Sequence, residues 1–191
     1  HKPDRRQRQM CIRDSAEDIA PNRLEKAKRL VSETINKLSG DREGIIAYAA
    51  SAVPQLPITT DYESAKLFLQ ALNTDMLSSQ GTAIAEAIDL SKNYYDDENQ
   101  TNRVLVILSD GEDHEDGAEM AATTAANEGI TIFTIALGTE KGGVIPLKQK
   151  GVTSSFKKDA EGEVVITRMN KDVLQTVADN TGGLMLIGDN T

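Results

Sequence analysis

The sequence contains few of the residues that stabilise small secreted proteins or form aromatic cores. Among 191 residues there is one cysteine, there is no tryptophan, and aromatic residues make up only 4%. The single cysteine, Cys11, excludes an intrachain disulfide; this suits a reducing compartment, and a cysteine-free periplasmic domain would look the same. The core must therefore consist of Ile, Leu, Val and Ala, as is usual for a parallel sheet covered by helices.

Long apolar runs and an excess of positive charge are also absent. No run approaches the ~18 residues that span a bilayer, and no signal peptide is visible, so any membrane anchor is expected outside this sequence. The formal net charge of -9 argues against nucleic acid or an anionic membrane surface as the main partner. It fits a protein partner or a cation, and it fits simple solubility equally well.

Residues 1–15 differ from the rest of the chain. They are rich in arginine and lysine and show neither helical nor strand periodicity. A basic targeting arm is one interpretation, and a vector, tag or sequence-assembly remnant is the interpretation we favour. We therefore expect a non-native or disordered leader over 1–15 and one folded domain over 16–191.

From residue 22 onward, helical and strand patterns alternate. Helical spacing of apolar residues predicts helices over 22–38, 61–72, 82–93, 118–127 and 172–180. Apolar runs predict strands over 44–50, 104–108, 130–137 and 184–187, and prolines make 53–58 an edge strand or a loop. Residues 140–170 interrupt this alternation and predict a β-hairpin insertion. The fold class is therefore α/β, a doubly wound and mostly parallel sheet with helices on both faces.

Two residues lie where such sheets bind ligands, at the carboxyl ends of the strands. Asp110 directly follows the most apolar strand and precedes Gly111, so it is a candidate ligand for a divalent cation or an ordinary turn aspartate. Thr82 follows Gly81 at a helix start, so it is a candidate hydroxyl ligand or an ordinary N-cap. The acidic residues at 112–116 are most simply a solvated loop.

These two stretches together resemble a known family. The run Gly-Thr-Ala-Ile at 81–84, a helix, and a strand ending in Leu-Ser-Asp-Gly-Glu-Asp at 108–113 resemble the second and third metal-site loops of von Willebrand factor type A domains. The resemblance extends from about residue 16 to the end. Residues 18–24, Asp-Ile-Ala-Pro-Asn-Arg-Leu, further resemble the BatA/BatB aerotolerance subgroup of bacterial proteins.

The resemblance implies a protein–protein interaction module and not an enzyme. In the family, a partner carboxylate completes the shell of a Mg²⁺ or Mn²⁺ ion at a metal-ion-dependent adhesion site, and Thr82 and Asp110 match two of its ligands. The family's Asp-x-Ser-x-Ser loop falls near Gln9, Cys11 and Arg13, none of which suits magnesium. We therefore expect the first strand and first metal loop to be missing and metal binding by this chain to be weak.

The resemblance also implies a setting. It points to a bacterial parent protein anchored in the inner membrane with this domain in the periplasm, and to partners such as other Bat-type A-domain proteins and a MoxR-type AAA+ ATPase. A second hypothesis is a magnesium-dependent phosphoryl-transfer or hydrolase domain with Asp110 as ligand or nucleophile. That chemistry needs a further acidic residue and a positioned lysine, and the sequence identifies neither.

Overall fold

A computed structural model describes residues 16–38, 40–73, 83–95, 102–112, 117–149, 152–159 and 161–188. The expected leader at 1–15 and the predicted ligand Thr82 lie outside the described residues. That 1–15 is a leader and that Thr82 is a metal ligand therefore remain predictions.

The predicted helices are confirmed to within one or two residues at each end. In the described part of the chain they are α1 (Arg23–Lys37), α2 (Tyr62–Ala71), α3 (Ile84–Lys92), α4 (Ala118–Asn127) and α5 (Asp172–Asp179). Helix α1 begins where the Asn22 side chain accepts a hydrogen bond from the Glu25 backbone N–H, and Asp61 caps α2 through Ser64 in the same way.

The first two strands form an antiparallel hairpin. Strand β1 (Glu43–Tyr48) pairs with β2 (Ala52–Thr59), and Pro54 and Pro57 lie within β2. Proline has no backbone N–H to donate, so β2 suits the sheet edge that its sequence predicts.

The two most apolar strands are parallel neighbours. Strand β3 (Arg103–Ser109) pairs with β4 (Ile130–Ala136) in unbroken register from the pair Arg103 and Ile130 to the pair Ser109 and Ala136. Because the two strands end together, the residues that follow them, Asp110 and Leu137, emerge at the same edge of the sheet. The sequence predicts this edge for Asp110.

The insertion is more elaborate than the predicted hairpin. It contains β5 (Gly143–Val144), β6 (Pro146–Gln149), β7 (Val152–Phe156) and β8 (Ile166–Thr167), with β6 paired to β7 and β5 paired to β8. Farther along the insertion, Asp159 N donates to Glu163 O and an isolated bridge joins Lys158 and Val164. The β6–β7 pair was not predicted because its residues do not alternate clearly between apolar and polar. Strand β9 (Met185–Ile187) then pairs parallel with β4.

The helices pack in two groups. One buried cluster joins α3, α4 and α5 to β3 and β4, through residues such as Ile88, Ile132 and Leu174. A second, smaller cluster joins α1 and α2 to β2, through Ile35 and Leu56 among others. The doubly wound α/β class is thereby confirmed.

A cavity of about 820 Å³ separates the β1–β2 hairpin from the β3–β4–β9 sheet. We call it the slot. Its walls are mainly apolar and come from α1, β1 and β3, with Leu24, Ala27, Leu30, Val31, Ile46, Ala47, Val104 and Val106 among them. Within the described residues β3 pairs only with β4, and Val104 and Val106 are 47% and 42% exposed. The slot thus lies between β1 and β3.

Candidate functional site

Asp110 is positioned by a tight turn at the carboxyl end of β3. The Glu112 N–H donates to Asp110 Oδ1 at 3.1 Å, and the Gly111 N–H donates to Ser109 Oγ at 3.0 Å. Gly111 has φ +76°, and a Cβ atom there would lie 1.8 Å from the backbone oxygen of Asn170. The turn therefore requires glycine after the aspartate, both for its conformation and for its space.

A buried arginine faces this aspartate. Arg23 Nη1 donates to Asp110 Oδ2 at 2.8 Å. Its Nε and Nη2 donate to the two carboxylate oxygens of Asp18, at 2.9 and 2.8 Å, in a bidentate pair. The side chains of Arg23 and Asp18 are each 3% exposed and that of Asp110 is 9% exposed, so both ion pairs are shielded from water.

The insertion supplies the remaining hydrogen-bond acceptors of the guanidinium. Arg23 Nη1 also donates to Thr167 Oγ1 at 3.0 Å, and Nη2 donates to the Thr167 backbone oxygen at 3.1 Å. A guanidinium has five N–H donors, and here each of the five has an acceptor. Arg23 therefore connects the start of α1, the end of β3 and strand β8 of the insertion.

Two further groups support this arrangement. Glu112 Oε1 accepts hydrogen bonds from Thr167 Oγ1 at 3.1 Å and from the Arg168 N–H at 2.9 Å. Asp18 Oδ2 accepts one from the Thr139 N–H at 2.8 Å, just after β4. The interpretation of 112–116 as a solvated loop does not hold for Glu112, and residues 113–116 lie outside the description. We call Asp18, Arg23, Asp110, Glu112, Thr139 and Thr167 the Arg23 cluster.

Gly138 makes room for the arginine. It has φ +116°, and a Cβ atom at this position would lie 2.8 Å from Arg23 Nη2. Contacts that short do not occur between a real Cβ and a guanidinium. Any larger residue after β4 would be strained at this φ and would push the guanidinium out of its hydrogen bonds.

The charges of the cluster reinforce one another. Burial alone raises the pKa of Asp18, but hydrogen bonds from Arg23 and Thr139 outweigh it and hold that pKa below its ordinary value. Burial alone lowers the pKa of Arg23, but the Asp18 hydrogen bonds and the charges of Asp110, Asp18 and Glu112 outweigh it and raise that pKa. Both groups are therefore ionised at neutral pH.

The described residues do not fit a divalent cation at Asp110. Such an ion takes carboxylate oxygens at about 2.0–2.6 Å, and Oδ2 of Asp110 is already bound by a cationic nitrogen at 2.8 Å. Within the described part of the chain no three His, Cys, Asp or Glu side chains are placed to hold a metal ion. Of the two predicted ligands, Asp110 lies at the predicted sheet edge, and the position of Thr82 stays untested.

Arg23, Asp18 and Thr167 were not predicted as site residues, although Asp18 and Arg23 belong to the stretch 18–24 that carries the subgroup resemblance. One signal was available: Arg23 is the first residue of α1, where the helix dipole disfavours a positive charge. An arginine at that position indicates compensating carboxylates. Which carboxylates they are follows only from the fold, because Asp110 and Thr167 are 87 and 144 positions away in sequence.

Comparison with known proteins agrees with this architecture. The family model of the von Willebrand factor type A domain matches residues 10–159. The crystal structure of the conserved hypothetical protein BatB from Bacteroides thetaiotaomicron is similar, with TM-score 0.89 and 39% identity over 94% of this chain and 86% of that chain. An aerotolerance-related membrane protein from Bacteroides fragilis gives TM-score 0.88 and 38% identity over 94% of this chain and 88% of that chain.

Curated relatives are longer than this chain. The UPF0353 protein of Mycolicibacterium gilvum is 33% identical in an alignment of 140 residues that covers 66% of this chain and 42% of that protein. The chain thus spans less than half the length of this relative. Proximal thread matrix protein 1 from the mussel byssus, solved with a zinc-occupied adhesion motif, has TM-score 0.62 at 14% identity over 92% of this chain and 40% of that chain. At that distance the likeness shows the fold alone.

Proposed function

Because this chain belongs to the von Willebrand factor type A domain family, we propose that it is a protein-binding module and not an enzyme. Its partners bind at the carboxyl edge of the sheet, where the Arg23 cluster lies. The parent protein is membrane-anchored and of the Bat aerotolerance type, with this domain in the bacterial periplasm. The B. fragilis relative, described as an aerotolerance-related membrane protein, supports that setting. The described residues themselves include no helix long and apolar enough to cross a bilayer.

An exposed apolar pair beside the cluster carries the proposal. Val144 of β5 and Ile166 of β8 are direct partners across an antiparallel pair, and they are 39% and 49% exposed. Residues directly opposite each other in such a pair lie on the same face of the sheet. Thr167, the next residue in β8, is bound to Arg23. The insertion therefore presents apolar side chains to solvent while its base is fixed to the sheet edge.

Exposed apolar side chains on a rigid base are typical of a surface that binds another protein. The partners we propose are other Bat-type A-domain proteins and a MoxR-type AAA+ ATPase. In the family, the adhesion site binds partners through Mg²⁺ or Mn²⁺. Thr82 and Asp110 are the positions of this chain that match that site. We propose that such a cation contributes little here, because Arg23 already binds the Asp110 carboxylate.

Surface plasmon resonance against these purified partners from the same genome tests the proposal. We expect the chain to bind at least one partner, and we expect the double variant Val144→Ser/Ile166→Ser to lose at least about tenfold in affinity, since each buried apolar side chain contributes about 1.5–3 kcal/mol. Met120 is 76% exposed on α4 and gives the control variant Met120→Ser, which should bind unchanged. The docking surface is wrong if the double variant binds like the control, and the partner assignment is wrong if none of the partners binds.

A further inference from the structure

We propose that Arg23 is the resident cation of this sheet edge: its guanidinium takes the place that a divalent ion would take beside Asp110, so that partner binding is independent of Mg²⁺. The inference rests on the proposed function. It concerns the means of binding and not whether binding occurs.

The acceptors around Arg23 are of the kind that bind a hard cation. They comprise carboxylate oxygens of Asp18 and Asp110 and both the hydroxyl and the backbone oxygen of Thr167. The carboxylate of Glu112 adds negative charge that acts on Arg23. Mg²⁺ and Ca²⁺ use the same types of oxygen donor, but here the oxygens are spaced to accept N–H groups at 2.8–3.1 Å. In this chain these oxygens surround the guanidinium of Arg23, the first residue of α1.

A metal ion at Asp110 Oδ2 would either displace a fully bonded group or lie directly beside it. All five N–H donors of the guanidinium have acceptors at 2.8–3.1 Å, and its side chain is 3% exposed. Moving it away would leave the Asp18 carboxylate and the Thr167 backbone oxygen without the donors that bind them, and leaving it in place would put two cations side by side. Either outcome disfavours the metal.

The surrounding chain is adapted to an arginine at this position. Gly138 leaves the space that the guanidinium fills, and Arg23 keeps a charge at a helix start that disfavours it. A lysine could not replace it, because an ammonium group has three donors and cannot form the bidentate pair with Asp18. The cluster therefore requires the guanidinium itself and not only a positive charge.

Three variants test the proposal by thermal melting with and without about 5 mM MnCl₂ or MgCl₂. We expect the native chain to shift by less than about 1 °C with metal. Arg23→Ala should melt roughly 10 °C lower, because it leaves carboxylates buried without their partner, and Mn²⁺ should recover part of that loss. Arg23→Ala/Asp110→Asn should show no recovery. The control Arg29→Ala removes an exposed arginine of the same helix and should melt like the native chain.

Arg23→Lys covers the case in which Arg23→Ala does not fold. It should melt below the native chain in spite of its conserved charge. A native-like melting temperature for Arg23→Lys, or a native chain that metal stabilises by several degrees, would overturn the proposal. So would a folded Arg23→Ala that Mn²⁺ does not stabilise.

Partner binding measured in EDTA and in Mg²⁺ distinguishes the proposed partner binding from its proposed independence of Mg²⁺. Equal affinities in both buffers are the expected result. Binding that occurs only with Mg²⁺ would contradict the role of Arg23 and leave the proposed function intact. Absence of binding in both buffers would contradict the proposed function.

Discussion

Arg23 Nη1 lies 2.8 Å from Asp110 Oδ2, although the two residues are 87 positions apart in the chain. The pair joins the first residue of α1 to the turn that ends β3. Thr167 binds the same nitrogen and adds the insertion to this junction. One buried side chain thus holds together the three elements that form the carboxyl edge of the sheet.

Removing the Asp18 carboxylate should lower the free energy of unfolding at neutral pH. It should also make that free energy depend less on pH in the acidic range. Asp18 has a lowered pKa in the folded state. Its stabilising contribution is therefore present above the ordinary carboxyl pKa of about 3.9, and it is lost as the pH falls through the lower folded pKa. Asp18→Asn should cost about 3–5 kcal/mol at pH 7, because it leaves Arg23 with one buried partner fewer.

Chemical denaturation at a series of pH values measures this effect. The difference in unfolding free energy between the native chain and Asp18→Asn should shrink as the pH falls below about 4. Asp41→Asn, at an exposed position, should follow the native chain throughout. A difference between Asp18→Asn and the native chain that does not change with pH would show that Asp18 is not bound to Arg23 as a carboxylate.

Substitution of Gly111 and of Gly129 by alanine distinguishes the cost of backbone strain from the cost of a steric clash. Their φ angles are +76° and +77°, but a Cβ on Gly111 would lie 1.8 Å from Asn170 O, whereas a Cβ on Gly129 would meet nothing within 4 Å. Gly129→Ala should cost about 1–2 kcal/mol, from the left-handed conformation alone. Gly111→Ala should cost clearly more, and urea unfolding compares the two. Equal losses would mean that the Asp110 turn tolerates movement away from Asn170.

The elements of the fold could be predicted from the sequence because each has a local signal. Helix α4 has the bounds that its alanine-rich pattern predicts, and β3 contains the apolar run 104–108 that precedes Asp110. The position of Asp110 at the sheet edge follows from that strand alone. The Arg23 cluster could not be predicted, because its members come from four separate segments and no periodicity relates them. Arg23 in particular occurs in a helical pattern where an arginine is ordinarily exposed.

The slot predicts that an added strand stabilises the domain. An extended segment of about six or seven Val, Ile and Leu residues, placed ahead of Ala16 instead of residues 1–15, would bury apolar surface at about 25 cal/mol per Å² and pair with backbone groups of β1 and β3. A gain of several kcal/mol would raise the melting temperature by roughly 10 °C. A segment of the same length built from Lys, Glu and Ser should give no gain. If both segments melt alike, the slot does not accept a strand.

The binding-module account also predicts an inactive protein in hydrolase assays. Phosphoryl transfer needs Asp110 free to act as a ligand or nucleophile, and here its Oδ2 is bound to Arg23 and its Oδ1 accepts the Glu112 N–H. We expect no turnover of p-nitrophenyl phosphate above background with Mg²⁺ or Mn²⁺ present. Hydrolysis that disappears in Asp110→Asn would instead support the phosphoryl-transfer hypothesis.

Isothermal titration of the native chain with Mg²⁺ and with Mn²⁺ shows whether Arg23 or a metal ion neutralises the Asp110 carboxylate. If Arg23 is the cation of the Asp110 edge, neither ion should bind with a dissociation constant in the micromolar range. Micromolar binding that is lost in Asp110→Asn would show that Asp110 holds a metal ion and that Arg23 does not replace it.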